Sequence, residues 1–403
     1  MTPQNAETSP GRRGKVRRFF RAAFYLIVIL IGGFAIYAWA TGARQEPIET
    51  GEPHMKAVIY TDYGSPDVLQ IRDIKKPVPN DDQILIKVRA ASINPLDWHF
   101  MEGTPYIMRA MGVGLRKPKS PRVGVDMAGE VEAVGKNVTQ FKPGDEVFGG
   151  KSGAFAEYVC ARADRAVAIK PANVAFEQAA SVPIAAITAL QGLRDTGHVQ
   201  TGQKVLINGA SGGVGTFAVQ IAKSLGAEVT GVCSTRNLDL VRSLGADHVI
   251  DYTKEDFTKN EERYDVILDN VGTQPLSGIR RVLKPKGICV MIGGGGPNDG
   301  PWIGPFGRVI HTLILSPFIS QKMGMMMAEL NKPDLTVLGD LMQAGKVKAV
   351  IDRTYPLSQI AEAIRYLEAV HARGKVIITV GDENKVRDGA STSLPRSTNA
   401  LSH

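Results

Sequence analysis

Short apolar runs, separated by glycine-rich turns and by stretches with helical spacing, dominate the middle of the chain. Lys204–Asn208 is an apolar run, Gly209–Gly215 is rich in glycine, and Val214–Leu225 places its apolar residues on one helical face. This order predicts a buried strand, a tight turn and a helix. Similar runs follow, alternating with short helical stretches, and predict a doubly wound parallel sheet. The predicted strands are Lys204–Asn208, Glu228–Ser234, His248–Tyr252, Tyr264–Asp269, Gly287–Ile292 and one near Gly324–Glu329.

A β-rich pattern lies on both sides of this α/β segment. Runs such as Lys56–Tyr60 and Gln83–Ala90, bounded by Gly, Pro and Asp, predict short strands. A helix over Phe176–Leu193 leads into the α/β segment, and the β pattern returns at Val347–Tyr355 and Lys375–Val380. The return indicates an α/β domain inserted into a β-rich domain. The predicted boundaries are 55–183 plus 346–381 for the β-rich domain and 184–345 for the inserted one.

The glycine turn predicts a nucleotide site. A strand, a glycine turn and a helix together present bare backbone N–H groups and a helix N-terminus to a pyrophosphate. Glycine is needed because a Cβ would hold the phosphates away from the backbone. The alternative is a turn whose glycines serve packing alone. The candidate cofactor-binding residues are Ala210, Ser211, Gly212, Gly213, Val214 and Gly215.

The residues at the end of the second predicted strand favour NADPH over NADH as the cofactor. In sheets specific for NAD, an acidic residue at this place binds the ribose 2′-hydroxyl. This chain instead has Cys233, Ser234, Thr235 and Arg236. A guanidinium can make a forked contact with a 2′-phosphate, and Ser234 can donate a hydrogen bond to it. The alternative is that Arg236 is a solvated residue at a helix start.

The N-terminus predicts membrane attachment. Residues 22–40 contain no charged side chain and are long enough to span a bilayer as a helix. Six Lys or Arg residues precede them, and Tyr37 and Trp39 stand at the far end. We expect a single-pass anchor, with a cleaved signal peptide as the alternative. The charge bias would export the following domain, whereas a soluble nicotinamide pool is cytoplasmic, so the side of the membrane and a start at Met55 stay open.

Composition narrows the function further. The chain has 403 residues, a length typical of two domains, and a net charge of +8. Its basic residues do not gather into blocks, so nucleic acid is not an expected partner. The three cysteines, Cys160, Cys233 and Cys289, stand apart and form no disulfide framework or paired metal spacing. Residues 1–54 form the basic N-terminus, anchor and linker, and residues 382–403 are predicted to be a disordered tail.

The segment Trp302–Ile319 does not fit the alternation of strands and short helices. Its apolar residues have helical spacing, and Arg308 is its only charged side chain. A helix that covers the sheet edge or a dimer face is one interpretation. A hydrophobic lid over the substrate and a second membrane contact are the others. The segment favours a lipophilic small-molecule substrate, and a homodimer stays open.

Several motifs together resemble the quinone oxidoreductase/zeta-crystallin branch of the medium-chain dehydrogenase/reductase superfamily. They include Ser92-Ile-Asn-Pro-Leu-Asp97, Gly124-Val-Asp-Met-Ala-Gly-Glu-Val131, the glycine turn within Gly202–Lys223, and Leu244-Gly-Ala-Asp-His-Val-Ile-Asp-Tyr252. The resemblance covers residues 55–381. It implies a GroES-like catalytic domain wrapped around a Rossmann domain, and reduction of a quinone or an enone by NADPH.

The resemblance also implies roles for individual residues. It places Asn94 on the nicotinamide side of the cleft, Thr188 beside the cofactor, and Lys375 at its phosphate or ribose end. The ends of two strands, at Val271 and Gly293, would meet the nicotinamide amide. Tyr252 matches a position that contacts the 2′-phosphate. His99 stands where related reductases have a tyrosine that faces the nicotinamide, so it is a candidate proton donor, with a surface or packing histidine as the alternative.

Departures from the zinc-dependent relatives predict that no metal is used. Those relatives have a Cys at the position of Asn94 and a His-Glu pair at Val125-Asp126. The four-cysteine structural lobe is missing as well. Zinc needs at least three suitable side chains at fixed geometry. A zinc-free alcohol or ketone dehydrogenase and a membrane-tethered, non-catalytic nucleotide-binding protein are the alternatives to a quinone or enone reductase.

Overall fold

A computed structural model describes residues 51–292, 302, 304, 306–315, 319–369 and 372–381. The predicted anchor at residues 22–40, the predicted tail at 382–403 and Gly293 lie outside these residues. Within the described part of the chain, no helix has the length and hydrophobicity needed to cross a bilayer. The membrane prediction therefore stays a prediction.

Between residues 51 and 171 the chain forms seven strands and one α-helix. The strands are β1 (His54–Ile59), β2 (Gln70–Lys75), β3 (Gln83–Ile93), β4 (Asp126–Val134), β5 (Glu146–Gly150), β6 (Tyr158–Arg162) and β7 (Val167–Ile169). Helix α1 (Pro95–Glu102) begins after Asn94, whose backbone N–H donates to Asp97 at 2.7 Å in a capping box. It ends at Gly103, whose φ of +64° suits glycine.

The second part alternates strands and helices. The elements are α2 (Phe176–Ala180), α3 (Pro183–Gln191), β8 (Lys204–Asn208), α4 (Gly213–Ser224), β9 (Glu228–Cys233), α5 (Leu238–Ser243), β10 (His248–Asp251), β11 (Tyr264–Asp269), α6 (Leu276–Val282), β12 (Leu283–Met291), α7 (Phe306–Leu315), β13 (Lys322–Met325) and α8 (Lys332–Gln343). The single helix predicted over Phe176–Leu193 is wrong: it is two helices, because Pro183 lacks an N–H and begins a new helix. One turn of π-helix, Gly192–Thr196, follows α3.

The last part returns to the first domain. Its elements are β14 (Ile351–Pro356), α9 (Ile360–Ala369) and β15 (Lys375–Thr379). Strand β15 pairs antiparallel with β3, and Ile377 lies opposite Ser92. The resulting sheet has the order β14-β15-β3-β4-β5-β7, with β6 also paired to β3. The chain therefore leaves this sheet to form the α/β domain and then comes back to complete it, as predicted.

The inserted domain holds a six-stranded parallel sheet. Its order is β10-β9-β8-β11-β12-β13, which numbered from β8 is the 3-2-1-4-5-6 arrangement of a Rossmann domain. This confirms the predicted fold class, whereas the predicted boundaries at residues 184 and 345 stay predictions. The carboxyl ends of β8 and β11 lie side by side, with Asn208 opposite Asp269. The strand order reverses between them, and this is where open α/β sheets bind ligands.

One buried apolar cluster contains residues of both large sheets. Ala128 and Phe148 from the β-rich domain belong to the same buried cluster as Ala186 on α3 and Ile207 on β8. All four side chains are fully buried. Burying an aromatic or branched side chain contributes about 1.5–3 kcal/mol. The shared core fixes the two domains against each other and so defines the cleft between them.

Candidate active site

A cavity of ≈ 690 Å³ lies between the two domains. It follows the carboxyl edge of the parallel sheet, from Tyr252 after β10 to Val271 after β11. Most of the predicted cofactor-binding residues line it: Ser211, Gly212, Gly213, Val214, Gly215, Ser234, Tyr252, Val271 and Lys375. Asn94 lines it as well, whereas Ala210, Arg236, Thr188 and His99 are not among its lining residues.

The glycine turn has the geometry of an anion cradle. Helix α4 begins at Gly213, and the first-turn amides of a helix have no acceptor within the helix. A Cβ on Gly212 would meet only the Gly209 carbonyl oxygen, at 3.5 Å, so the space in front of it is open. A Cβ on Gly215 would lie 2.1 Å from the same oxygen, so glycine is required there for packing. Ala210 packs behind the turn, where its N–H donates to the carbonyl of Val232.

Two buried amide oxygens have no hydrogen-bond partner among the described residues. Asn237 donates to the hydroxyls of Ser211 and Ser234, at 3.0 and 3.2 Å, which leaves its Oδ1 without a donor. Asn270 donates to the carbonyl of Asn208 at 2.9 Å, and its Oδ1 is left in the same way. Both residues line the cavity. A buried polar atom without a partner costs about 1–3 kcal/mol, so each is suited to a ligand donor. Neither residue was singled out from the sequence.

Only some of the residues predicted at the adenosine end of the cofactor site line the cavity. Ser234 and Tyr252 line the cavity together, and Tyr252 is half exposed. Arg236 lies in the short turn Thr235–Asn237 after β9. Its carbonyl oxygen accepts a hydrogen bond from the guanidinium of Arg373 at 3.1 Å. A second cation, which the sequence did not single out, therefore stands beside the predicted 2′-phosphate site.

The floor of the cleft holds an unexpected buried charge. The Lys375 ammonium lies 2.6 Å from Asn94 Oδ1 and 3.6 Å from Asp126 Oδ2. Asn94 Nδ2 donates to the same carboxylate oxygen at 2.8 Å. The sequence had identified Asp126 only as a departure from the zinc-dependent pattern. Its partners are far away along the chain, so only the folded structure shows that it joins them.

These residues do not fit a zinc ion. Asn94 and the pair Val125-Asp126 stand where zinc-dependent relatives carry a Cys and a His-Glu pair, and the Lys375 ammonium lies against Asn94 and Asp126. An ammonium beside a cation at such short range is strongly repelled. In the described part of the chain, no group of three or more His, Cys, Asp or Glu side chains is arranged to hold a metal ion.

The two other predicted catalytic residues lie off the cavity wall. Thr188 is buried on α3, and its hydroxyl donates to the carbonyl of Ile184 at 2.6 Å. His99 is on α1, about one turn beyond Pro95, which does line the cavity. Its ring lies 5.3 Å from that of Trp98, and burial lowers its pKa below the ordinary value. Both proposed catalytic roles stay predictions.

The nicotinamide end of the predicted site is held by a buried carboxylate. Asp269 Oδ1 accepts hydrogen bonds from Asn208 Nδ2 at 2.8 Å and from the backbone of Gly272 at 2.9 Å. Its other oxygen lies 3.2 Å from the guanidinium of Arg308 on α7. The segment predicted at Trp302–Ile319 therefore contains a helix that is tied to the sheet edge beside Val271. Trp302 itself packs edge-on against Tyr106 of the first domain, with ring centroids 5.4 Å apart.

Comparison with known proteins agrees with this architecture. Residues 80–171 match the alcohol dehydrogenase GroES-like domain, and residues 244–378 match the family described as zinc-binding dehydrogenase. The chain is 36% identical over 339 residues to the 2-methylene-furan-3-one reductase of Solanum lycopersicum, covering 80% of this chain and 79% of the relative. It is similar to the same extent to the chloroplastic NADPH-dependent alkenal/one oxidoreductase of Arabidopsis thaliana.

A solved structure extends the agreement to three dimensions. The quinone oxidoreductase from Coxiella burnetii superposes with a TM-score of 0.70 at 32% identity, over 82% of this chain and all of the other. The resemblance inferred from the motifs is thereby confirmed. The chain belongs to the quinone oxidoreductase/zeta-crystallin-like branch of the medium-chain dehydrogenase/reductase superfamily, and it is an oxidoreductase of that family.

Proposed function

We propose that this chain is an NADPH-dependent reductase that transfers a hydride to a quinone or to an α,β-unsaturated carbonyl compound. The observation that carries the proposal is the cradle of the glycine turn with its open space in front of Gly212. The names of the relatives, an alkenal/one oxidoreductase and a quinone oxidoreductase, support the substrate class. NADPH, when bound, supplies the hydride.

The residues of the cleft fit such a cofactor. The first turn of α4 presents backbone amides to a diphosphate. The free oxygen of Asn270, beside Val271, suits the amide N–H of a carboxamide, and that of Asn237 suits a ribose hydroxyl. Ser234 and Arg236 after the second strand, and Tyr252 after the third, would supply donors to a 2′-phosphate.

Residues of this chain are expected to position the reactants and to supply the proton that the reduction requires. Charge develops on the substrate oxygen during reduction, and preorganised donors in a dry cleft stabilise it best. Asn94 and Lys375, both buried and both on the cavity wall, would hold the cofactor in position for this transfer. His99 stays the predicted proton donor, although it does not line the cavity.

The test is a substrate screen with both nicotinamide cofactors. Oxidation of NADPH, followed at 340 nm, is expected with 1,2-naphthoquinone or a long-chain enone. Reduction of NADP⁺ by a saturated alcohol would instead support the zinc-free alcohol dehydrogenase alternative. Tight binding of NADPH without turnover on any of these compounds would support the non-catalytic alternative.

Membrane attachment through residues 22–40 is a second part of the proposal. It is supported by the uncharged length of that segment and by the basic residues before it. The full chain is expected to stay with the membrane fraction after extraction at alkaline pH. Protease digestion of sealed vesicles then shows on which side the catalytic domain lies. Release of the intact chain by alkaline extraction would refute the anchor.

A further inference from the structure

A buried carboxylate joins the parts of the cleft that face a ligand. Asp126, on β4, is completely buried and is not among the residues that line the cavity. Its Oδ2 accepts from Asn94 Nδ2 at 2.8 Å and from the Ser92 hydroxyl at 3.0 Å, and it lies 3.6 Å from Lys375 Nζ. Its Oδ1 accepts from the backbone N–H of Ile184 at 3.0 Å.

The contact with Ile184 fixes a helix. Ile184 lies in the first turn of α3, where backbone N–H groups lack partners within the helix and a negative charge is favourable. The next residue, Ala185, lines the cavity. One carboxylate therefore holds a strand of the β-rich domain against the helix that leads into the nucleotide-binding domain.

The contact with Asn94 fixes the orientation of an amide. Because Asp126 is an acceptor, it selects the Nδ2 edge of Asn94, and the Oδ1 edge then faces the Lys375 ammonium at 2.6 Å. One N–H of the amide remains for a ligand. An ammonium has three donors, of which one goes to Asn94 and one points to Asp126. The third remains for the cavity that Lys375 lines.

The contact with Lys375 favours the charged form of its ammonium group. Burial lowers the pKa of Lys375, because the charged form loses its hydration, and the Asp126 carboxylate opposes this effect. The titratable groups that act on Lys375 are Asp126 on β4 and Asp97 on α1. Burial raises the pKa of both carboxyl groups, that of Asp97 to about 7. Asp126 has the larger effect on the pKa of Lys375, and its Oδ2 lies 3.6 Å from the ammonium.

We propose that Asp126 is a positioning residue of the cleft, which keeps the Lys375 ammonium charged and orients the Asn94 amide so that each offers one donor to a bound nucleotide. The proposal rests on the proposed function for the identity of the nucleotide, NADPH. It assigns to Asp126 a role through Asn94 and Lys375, without direct contact with the ligand.

The test is the pH dependence of NADPH affinity in the full-length chain. Affinity is measured by fluorescence titration from pH 6 to 10, without any substrate. In Asp126→Asn the ammonium loses its counter-charge and releases its proton at lower pH. We expect the variant to bind NADPH progressively more weakly as the pH rises from 7 to 9, by up to about tenfold for each pH unit above the pKa of Lys375. The unmodified chain should change much less.

A matched control comes from the same domain. Lys170 is also buried and lies 2.9 Å from Glu146, but neither residue lines the cavity. Glu146→Gln removes the counter-charge of that lysine, and NADPH affinity should keep the pH dependence of the unmodified chain. A general destabilisation of the domain would make both variants behave alike, which would overturn the proposal.

A double variant separates the loss of the counter-charge from misfolding of the chain. Asp126→Asn combined with Lys375→Met removes both charges, so no unpaired charge is buried. The double variant should fold, bind NADPH weakly and show no loss of affinity between pH 7 and pH 9. Asp126→Asn with the affinity of the unmodified chain at every pH, or a double variant that keeps the alkaline loss, would overturn the proposal. Failure of the proposed function would show separately, as an unmodified chain that does not bind NADPH.

Discussion

The backbone N–H of Gly374 donates to the carbonyl oxygen of Ser211 at 2.9 Å. This bond joins the returning segment of the β-rich domain directly to the glycine turn of the nucleotide-binding domain. Gly374 has a φ of +94°, and a Cβ there would lie 2.2 Å from the carbonyl oxygen of Val350. The next residue, Lys375, reaches Asn94. This hydrogen bond therefore connects the cradle of the glycine turn with the floor of the cleft.

Two glycines of the turn should respond differently to the same substitution. Gly212→Ala places a methyl group in the open space of the cradle, so it should leave unfolding unchanged and weaken NADPH binding at least tenfold. Gly215→Ala drives a methyl group into the Gly209 carbonyl oxygen and should cost at least about 2 kcal/mol of stability. Thermal unfolding and fluorescence titration of NADPH measure the two effects. Loss of stability in Gly212→Ala would show that the space in front of it is not open.

Preference between the nicotinamide cofactors should depend on Arg236. Arg236→Ala removes the predicted partner of the 2′-phosphate, so the KM for NADPH should rise about ten- to a hundredfold while that for NADH changes little. Arg242, on the following helix α5, carries the same charge as Arg236 but pairs with Asp239 at the surface, and no role at the 2′-phosphate is predicted for it. Arg242→Ala is therefore the matched control. Equal effects of Arg236→Ala on both cofactors would refute the 2′-phosphate role.

The order of strands and the glycine turn were predictable because they depend on local signals. Lys204–Asn208 and Tyr264–Asp269 were placed with the bounds that the structure shows. The break at Pro183 had a signal in the proline itself, which a uniformly apolar helical spacing hid. The return of the chain was also predictable, because the β pattern reappears after residue 346.

The centre of the cleft was less predictable, because its contacts are long-range. Asn94 and Lys375 are 281 positions apart, and no local pattern joins them. Asp126 lies within the motif Gly124–Val131, but that motif does not show which residues it contacts. The free oxygens of Asn237 and Asn270 become visible only when the hydrogen bonds around each side chain are known. Residues such as these are defined by partners, and partners are a property of the fold.

Stability should depend on the ionisation of Asp97. Its pKa is raised to about 7 by burial, while the unfolded chain releases this proton near 3.8. Between these values the unfolded state binds fewer protons than the native state, so stability falls as pH rises, by up to about 1.4 kcal/mol for each unit. Asp97→Asn keeps the acceptor for the Asn94 N–H and removes this fall. Chemical unfolding from pH 4 to 8 measures the difference.

The control for Asp97 is a carboxylate with the same local bond. Asp145 accepts from the backbone N–H of Lys142, three residues earlier, at 2.9 Å, as Asp97 accepts from Asn94. Asp145 is partly exposed, whereas Asp97 is completely buried. Asp145→Asn should leave the pH dependence of the unmodified chain in place. If Asp97→Asn also left it in place, the buried carboxyl would not be its source.

Helix α7 should depend on its ion pair with the sheet edge. Arg308→Gln leaves the buried Asp269 without its cation, although Asn208 and the backbone of Gly272 still donate to it. We expect a loss of about 2 kcal/mol, less than the 3–5 kcal/mol of an unsupported buried charge. Asp269→Asn should cost more, because a neutral amide attracts Arg308 less than a carboxylate does. The backbone N–H of Val271, which donates to Asp269 Oδ1 at 3.3 Å, would also be held less firmly. The KM for NADPH should therefore rise more in Asp269→Asn. Lys284, on β12, pairs with Asp265 at 2.8 Å, and the two side chains are 42% and 21% exposed, so Lys284→Gln should cost less than about 1 kcal/mol. Equal costs for Arg308→Gln and Lys284→Gln in denaturant unfolding would show that α7 is not held by this pair.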